Sequence, residues 1–244
     1  MRAGESPRQL RGDFEEIDEV SSCRGNSFQS MYNLHSHSLL SDGCLLPSEL
    51  AVRYAAKGYK ALAITDHADY SNIEMVCRQI TRFCKKWPKR FPLKLLPGIE
   101  LTHLPLEQIK PLVRFCRKNG IMVVIGHGET LAEPVLKGTN LAYLEAGVDI
   151  LAHPGRLSDA EAKLAGKKGI FLEITSRKSH GITNSFVVKK AIQWNAPLIV
   201  NHDSHDPDDI ITIDQTRSVA FSAGMSIREL EQAYSRARQF IFSL

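Results

Sequence analysis

No stretch of this chain stays apolar for the roughly 18 residues that a membrane-spanning helix requires, and residues 1–30 mix Arg, Asp, Glu and Ser without an apolar run. A helical membrane protein is therefore excluded by the sequence, and the cytoplasm is the expected address. Paired thiols are missing too. The five cysteines (Cys23, Cys44, Cys77, Cys84 and Cys116) are odd in number and show no C-x-x-C spacing, so neither a disulfide framework nor a thiolate zinc knuckle is expected. Cys77 and Cys84, seven residues apart in a helical stretch, share one face and read as buried packing residues. No Gly-rich phosphate loop and no G-x-G-x-x-G after a strand is present, so no cofactor other than metal is called for. Gly/Ser/Pro linkers, low-complexity tracts and shared repeat motifs are absent as well.

What remains is a 244-residue chain with 43% hydrophobic and 24% charged residues, enough to build a sizeable core in one domain. The net charge of +4 permits phosphate-bearing partners, but the basic residues read as spread out rather than gathered into a patch. After a polar extension over residues 1–30, short apolar runs alternate with amphipathic segments. Seven strands are predicted, at 31–34, 60–65, 93–99, 121–126, 148–152, 170–175 and 196–201, and most are near-continuously apolar, as strands covered on both faces are. Between them "PSELAVRYAAKG" has an early Pro and a closing Gly, and "SDAEAKLAGKKG" begins with a Ser cap and early acids. In "PLEQIKPLVRFCRKNG" the internal Pro111 predicts a kink or a late start, and two helices near 215–223 and 226–241 finish the chain.

The nine histidines all fall just after the predicted strands. His35 and His37 follow the first, His67 the second, His103 (with Glu100) the third, His127 the fourth, His153 the fifth and His180 the sixth. His202, Asp203 and His205 follow the seventh. In a closed parallel barrel the C-terminal strand ends converge on one mouth, so this placement predicts a distorted (β/α)7, TIM-like barrel over residues 31–244 with its donors in a single pocket. Imidazole and carboxylate without thiolate suit Zn, Mn or Fe rather than Ca. Alternate residues point to the same side, so His35 with His37, and Asp203 with His205, can each bring two donors. The supply exceeds the needs of one ion; two or three fit, and Glu100 is the natural bridge.

The ordered set "HSHSLLSDG", "ITDHAD", "GIE", "GHGE", "AHPG" and "HDSH" resembles the PHP (polymerase and histidinol phosphatase) family, in particular its stand-alone histidinol-phosphatase-like phosphoesterases. The resemblance covers about residues 31–206 and implies a distorted seven-unit barrel with a di- or trinuclear metal site. It implies that His35 and His37 bind one ion together with Asp203. Glu100 then bridges to a second ion held by His127 and His153, and Asp42, His67 and His205 bind a third.

Around these ligands other residues carry lesser expectations. Asp66 is expected to fix the turn beside His67, with direct ligation the alternative; Asp69 is a weaker ligand candidate, and His202 is expected to point away and pack. Glu129 either orients His127 or lies on the surface. His103 is a substrate contact or proton donor, or an ordinary loop residue. Arg177 and Lys178 form the best candidate anion clamp, Arg156 is a second phosphate contact, and His180 a donor of the leaving-group proton.

The expected activity is hydrolysis of a small phosphomonoester of the histidinol phosphate type, with Glu100, Asp203 and His180 at its centre and a water between two ions as nucleophile. One rival is a nuclease or nucleotide phosphodiesterase, which would want aromatic side chains at the mouth; Tyr70, Phe186 and Trp194 are available, the last two at core-like helical spacing. The other rival, a non-catalytic barrel that binds RNA or protein, would be expected to have lost ligands.

Overall fold

The computed structural model describes residues 31–244; the polar extension expected over residues 1–30, with Cys23, lies outside the described residues. The strands are β1 (Tyr32–Asn33), β2 (Ala61–Ile64), β3 (His67–Ala68), β4 (Lys94–Leu101), β5 (Val123–His127), β6 (Ile150–Ala152), β7 (Phe171–Thr175) and β8 (Leu198–Asn201). All pair in parallel, in the order β1-β2-β4-β5-β6-β7-β8, with β3 on β4. Seven of these stretches are the predicted strands. The eighth, β3, is the second strand resumed after a break at Thr65 and Asp66. There the Thr65 hydroxyl turns to the Ser36 carbonyl oxygen, and Asp66 ties down the following loop by accepting from the Ser38 amide and from the Ser38 and Ser41 hydroxyls. The break brings His67 into register with Glu100.

The barrel shuts between its first and last strands without a regular ladder. Asn33 and Asn201 exchange side-chain to backbone bonds there, Leu34 N donating to Asn201 Oδ1 (2.9 Å) and His202 N to Asn33 Oδ1 (2.8 Å). Above them His37 N donates to the Ser204 carbonyl oxygen at 2.8 Å and Asp203 N to that of His35 at 3.1 Å. The loops that carry the first and last donors of the sequence are thus bonded directly to one another.

Eight helices surround the sheet among the described residues: α1 (Pro47–Ala56), α2 (Ile73–Lys86), α3 (Leu106–Lys118), α4 (Thr139–Ala146), α5 (Asp159–Lys168), α6 (Asn184–Gln193), α7 (Ile213–Ser222) and α8 (Ile227–Ser243). Ser158 and Ser226 each form a capping box with the glutamate three residues on, which sets the starts of α5 and α8. The late start allowed for α3 does not occur: the helix begins at Leu106 and runs through Pro111. Pro111 is exposed, so the Glu107 carbonyl that loses its partner can turn to water. Cys77 and Cys116 are buried and Cys84 half-buried, all as free thiols. No helix among the described residues is long and apolar enough to cross a membrane.

Period-two alternation explains why the strands read as unbroken apolar runs: both faces are covered, one by the helices and one by the barrel interior. The interior floor is a cluster that includes Leu96, Val123, Ile125, Ile150, Phe171 and Ile199, and α8 stoppers it from below with Ala237 and Ile241. Further along the inward positions of the same strands the chemistry changes to Glu100, His127, Glu173 and Asn201, all buried. A greasy floor under a polar upper layer is therefore written into alternate residues of each strand.

Candidate metal centre

All nine residues expected as ligands converge on the C-terminal mouth of the barrel. The structure groups them with ligand atoms within 4.8 Å of one another as His35, His37 and Glu100; His35, His153 and Asp203; Glu100, His127 and His153; and His37, Asp42, His67 and His205. Glu100 lies at the junction. Its Oε2 is 3.2 Å from His35 Nε2 and 2.9 Å from His67 Nδ1, and its Oε1 is 3.5 Å from His153 Nε2. Asp203 Oδ1 reaches His37 Nε2 at 3.2 Å and His35 Nε2 at 3.5 Å. Asp42, on the exposed rim, faces His205 Nε2 at 3.4 Å and His67 Nε2 at 3.7 Å. His37 stacks between the rings of His67 and His205, at 4.2 and 4.1 Å, and so belongs to two groups.

The fit of this set to cations can be tested on its own hydrogen bonding. Buried polar atoms in folded proteins are almost always paired. Here His35 Nε2, both nitrogens of His37, both oxygens of Glu100, and Nδ1 of His127 and of His153 are buried with no hydrogen-bond partner. Seven unpartnered buried nitrogen and oxygen atoms on five clustered residues suit divalent cations, which need several lone pairs each. Protonation states agree in direction. Burial and the charges of His67 and His205 hold His37 well below its ordinary value, so it is a neutral imidazole with lone pairs to give. At Glu100 burial works against charge, but His35 and His67 outweigh it and keep it a carboxylate. At His35 and His153 burial also opposes charge, and the neighbouring carboxylates, Glu173, Glu100 and Asp203 among them, raise both imidazoles above their usual range.

Backbone geometry is bent to serve the same place. Of the four non-glycine residues with positive φ among the described residues, three are at the site: His103 (+52°), His153 (+29°) and Asp203 (+51°). Each such conformation costs on the order of 1–3 kcal/mol, which the surrounding packing has to sustain. Gly43 serves the Asp42 turn by close approach, since a Cβ there would lie 2.4 Å from the His37 carbonyl oxygen.

Two carboxylates were missed by the sequence reading. Glu173, buried in β7, accepts from His35 Nδ1 at 2.8 Å, from Asn201 Nδ2 at 2.9 Å and from the His153 amide at 3.2 Å. With its proton on Nδ1, His35 presents Nε2 to Glu100, the ring orientation a metal-ligating histidine takes from a supporting carboxylate. We expect Glu173→Gln to weaken metal affinity about 10–100-fold with the fold retained, as read by competition with a metallochromic chelator; unchanged affinity would remove this role. The signal was present, a lone carboxylate in the apolar run "IFLEIT". Glu133 is the second. It joins His103 Nε2 (3.1 Å), His127 Nε2 (3.3 Å) and His180 Nε2 (3.4 Å), and hydrogen bonding to His127 pulls its carboxyl down to about 2. No strand-end position marks it.

Arg177 lines a cavity of about 510 Å³ at the mouth, with His103, Glu133, His180 and Asp203, and its guanidinium donates to the Asp203 carbonyl oxygen at 3.3 Å. Lys178 is not brought there; it lines an adjoining cavity that Arg177 shares. Arg156 is exposed and lines neither cavity. His180 is buried against His153, ring to ring at 4.4 Å, and accepts or donates at Thr130 Oγ1 (2.9 Å); burial and His153 lower its imidazole to about 4. Glu129 does not orient His127 but accepts from the Gly138 and Asn140 amides at the start of α4. Asp69 is a rim residue occupied by the Ser71 amide and hydroxyl. His202 packs outward between Tyr54 and Tyr59, and burial brings it down to about 3. Phe186 and Trp194 pack on the core, whereas Tyr70 is exposed, between Asp69 and Ser71 of the rim.

Comparison with known proteins follows the same lines. Residues 33–145 match the PHP domain. An uncharacterized protein of Methanocaldococcus jannaschii is 37% identical over 203 residues, covering 82% of this chain and 93% of that one. DNA polymerase/3'-5' exonuclease PolX of Bacillus subtilis is 26% identical over 80% of this chain, which spans only 36% of PolX. Among solved structures, a chain in the cryo-EM structure of archaeal ribonuclease P with mature tRNA superimposes with a TM-score of 0.61 at 13% identity, covering 85% of this chain and 89% of that one. At that identity the likeness concerns the fold alone.

Proposed function

The chain belongs to the PHP family, and from that premise we propose that it is a metal-dependent phosphoesterase acting on a phosphate group presented at the barrel mouth. The observation that carries this reading is the set of seven unpartnered buried nitrogen and oxygen atoms, shared among His35, His37, Glu100, His127 and His153, beneath an open cavity of about 510 Å³. The nine converging residues would hold two or three divalent ions of the Zn, Mn or Fe class. Bound there, such ions supply Lewis acidity and a nucleophile at neutral pH.

The chain's own groups do the rest. Glu100 keeps the clusters in register through its two oxygens, and Glu173 fixes the His35 ring. Arg177 offers a planar, permanently charged fork above Asp203 for phosphate oxygens that point to solvent. His180 Nε2 lies 3.4 Å from Glu133 Oε1 in the same cavity, and this imidazole is the group there that can donate a hydrogen bond to a leaving group. The cavity accommodates a small phosphomonoester such as the histidinol phosphate expected from the sequence, and equally the terminal phosphoester of a longer molecule. That a relative is named for exonuclease activity supports the second case.

The test is hydrolysis of p-nitrophenyl phosphate, bis-p-nitrophenyl phosphate, small phosphomonoesters and short oligonucleotides by protein loaded with each metal. Arg177→Ala should lower kcat/KM by about 10–100-fold on every substrate accepted, the worth of hydrogen bonds between charged partners. No turnover of any phosphoester by fully loaded protein would end the proposal.

A further inference from the structure

Contrary to the expectation of dispersed basic residues, one local run of them forms an exposed flank of the barrel. From residue 75 to residue 99 the chain contains no Asp or Glu, and α2 with the loop after it carries Arg78, Arg82, Lys85, Lys86, Lys89 and Arg90. All six are exposed, and none forms an ion pair or hydrogen bond among the described residues. Unpaired cations this dense repel one another, at about 1 kcal/mol per pair at close range even in water. A surface with that penalty and no internal compensation is suited to an external polyanion.

Shape adds to charge. Arg78, Arg82, Lys85 and Lys86 line a groove of about 620 Å³ whose other side is Phe115 of α3 and Asn119 just past its end, with Thr81 Oγ1 donating to the Asn119 carbonyl oxygen across its lower end. Phe115 is half-buried there, an aromatic side chain beside the cations. Glu74 is the groove's single acid, at its upper end. The spacing at i, i+4, i+7 and i+8 keeps the four cations on one stripe of α2.

Direction is set by the topology. A helix that follows a strand of a parallel barrel leaves the mouth and runs back down the side, so α2, which follows β3, starts beside Ser71 and Asn72, which line the metal-site cavity. At 1.5 Å per residue, Arg78 lies about 9 Å and Lys86 about 21 Å along the axis from Asn72. Tyr70, 58% exposed, lies in sequence between the rim residues Asp69 and Ser71, just ahead of the start of α2, and its ring is free to stack on a base.

We propose that this α2–α3 groove binds the sugar-phosphate backbone of a single-stranded nucleic acid whose end lies in the metal-site cavity, so that the site's substrate is a strand terminus. The proposal rests on the phosphoesterase reading for its substrate end, while the groove's affinity is a separate property. A strand needs on the order of six nucleotides to span mouth to Lys86, taking about 3.4 Å per phosphate.

The test uses the full chain without added metal, so that binding is read apart from turnover. A fluorescein-labelled single-stranded 20-mer, followed by anisotropy across a salt series, should bind wild type. The triple variant Arg78→Glu, Arg82→Glu and Lys86→Glu should bind at least about 10-fold more weakly, with a salt slope flatter by roughly two. A tetranucleotide should show a much smaller difference. Lys167→Glu, Lys189→Glu and Arg228→Glu, the same charge change on exposed positions of other helices, should leave affinity within about threefold. Equal affinity of wild type and the α2 triple variant, or tighter binding to phosphatidylserine vesicles than to the 20-mer, overturns the proposal. Metal-loaded variant should hydrolyse p-nitrophenyl phosphate at the wild-type rate. Should loaded wild type bind the 20-mer yet hydrolyse no phosphoester, the phosphoesterase reading falls while the groove stands.

Discussion

Replacing His35 and His37 together by alanine is expected to abolish phosphoester turnover and to empty most of the metal centre while leaving the barrel folded. His37 takes part in two of the clusters, facing Glu100 and Asp203 with one nitrogen and lying between His67 and His205 with its ring. His35 is shared by the Glu100 and Asp203 groups. Their joint loss thus removes donors from every ion position except the one built on His127 and His153. Because removing a single preorganised electrostatic group commonly costs about 10²–10³ in rate, the loss of two ligands should exceed about 10³-fold. The fold should survive, because the floor of Leu96, Val123, Ile150, Phe171 and Ile199 and the α8 stopper lie below this layer and touch neither ring's function. Elemental analysis of the purified variant, circular dichroism and p-nitrophenyl phosphate hydrolysis decide the matter together. Native metal content or native turnover in a folded double variant would refute the site.

Much of this centre could be read before any coordinates, and the reason is geometric. Donors placed one after each strand have to meet once a parallel sheet closes, so linear position predicts proximity for His35, His37, His67, Glu100, His127, His153, Asp203 and His205. Other features escaped because they depend on how loops and flanks fold. Glu133 lies in the loop well past the end of β5, and only the path of that loop brings it to His103, His127 and His180. Glu129 sits closer to His127 in sequence but is turned away to hold the start of α4. Lys178 shares a short loop with Arg177, yet adjacent side chains diverge and only Arg177 faces the metal-site cavity. The interruption of the second strand depends on Thr65 and Asp66 finding partners on Ser36, Ser38 and Ser41, a long-range match invisible to local periodicity. The basic groove, by contrast, was legible: an acid-free run over residues 75–99 is a local signal, masked only by averaging charge over the whole chain.

Stripping the metal should be reversible, and the reason lies in how the donors treat protons. In the metal-free protein Glu100, Glu173 and Asp203 would be costly to bury as bare carboxylates. His35 and His153 lessen that cost, since the surrounding carboxylates outweigh burial and raise both imidazoles above their usual range, which favours their protonated forms. Protons thus stand in for cations, and the chelated chain stays folded but less stable. Metal binding must displace those protons, so its affinity should fall as pH falls and loading in weak buffer should release acid. With free metal at 100 to 1,000 times its dissociation constant, each native-only ion adds about 2.7–4.1 kcal/mol, or roughly 5–16 °C in Tm for a chain of this size. Activity should vanish with the chelator and return on reloading. In the His35→Ala, His37→Ala variant the metal-dependent rise in Tm should shrink to that of the His127–His153 position alone. Identical melting of chelated and loaded wild-type protein, with no proton release on reloading, would show that these imidazoles and carboxylates hold one another rather than cations.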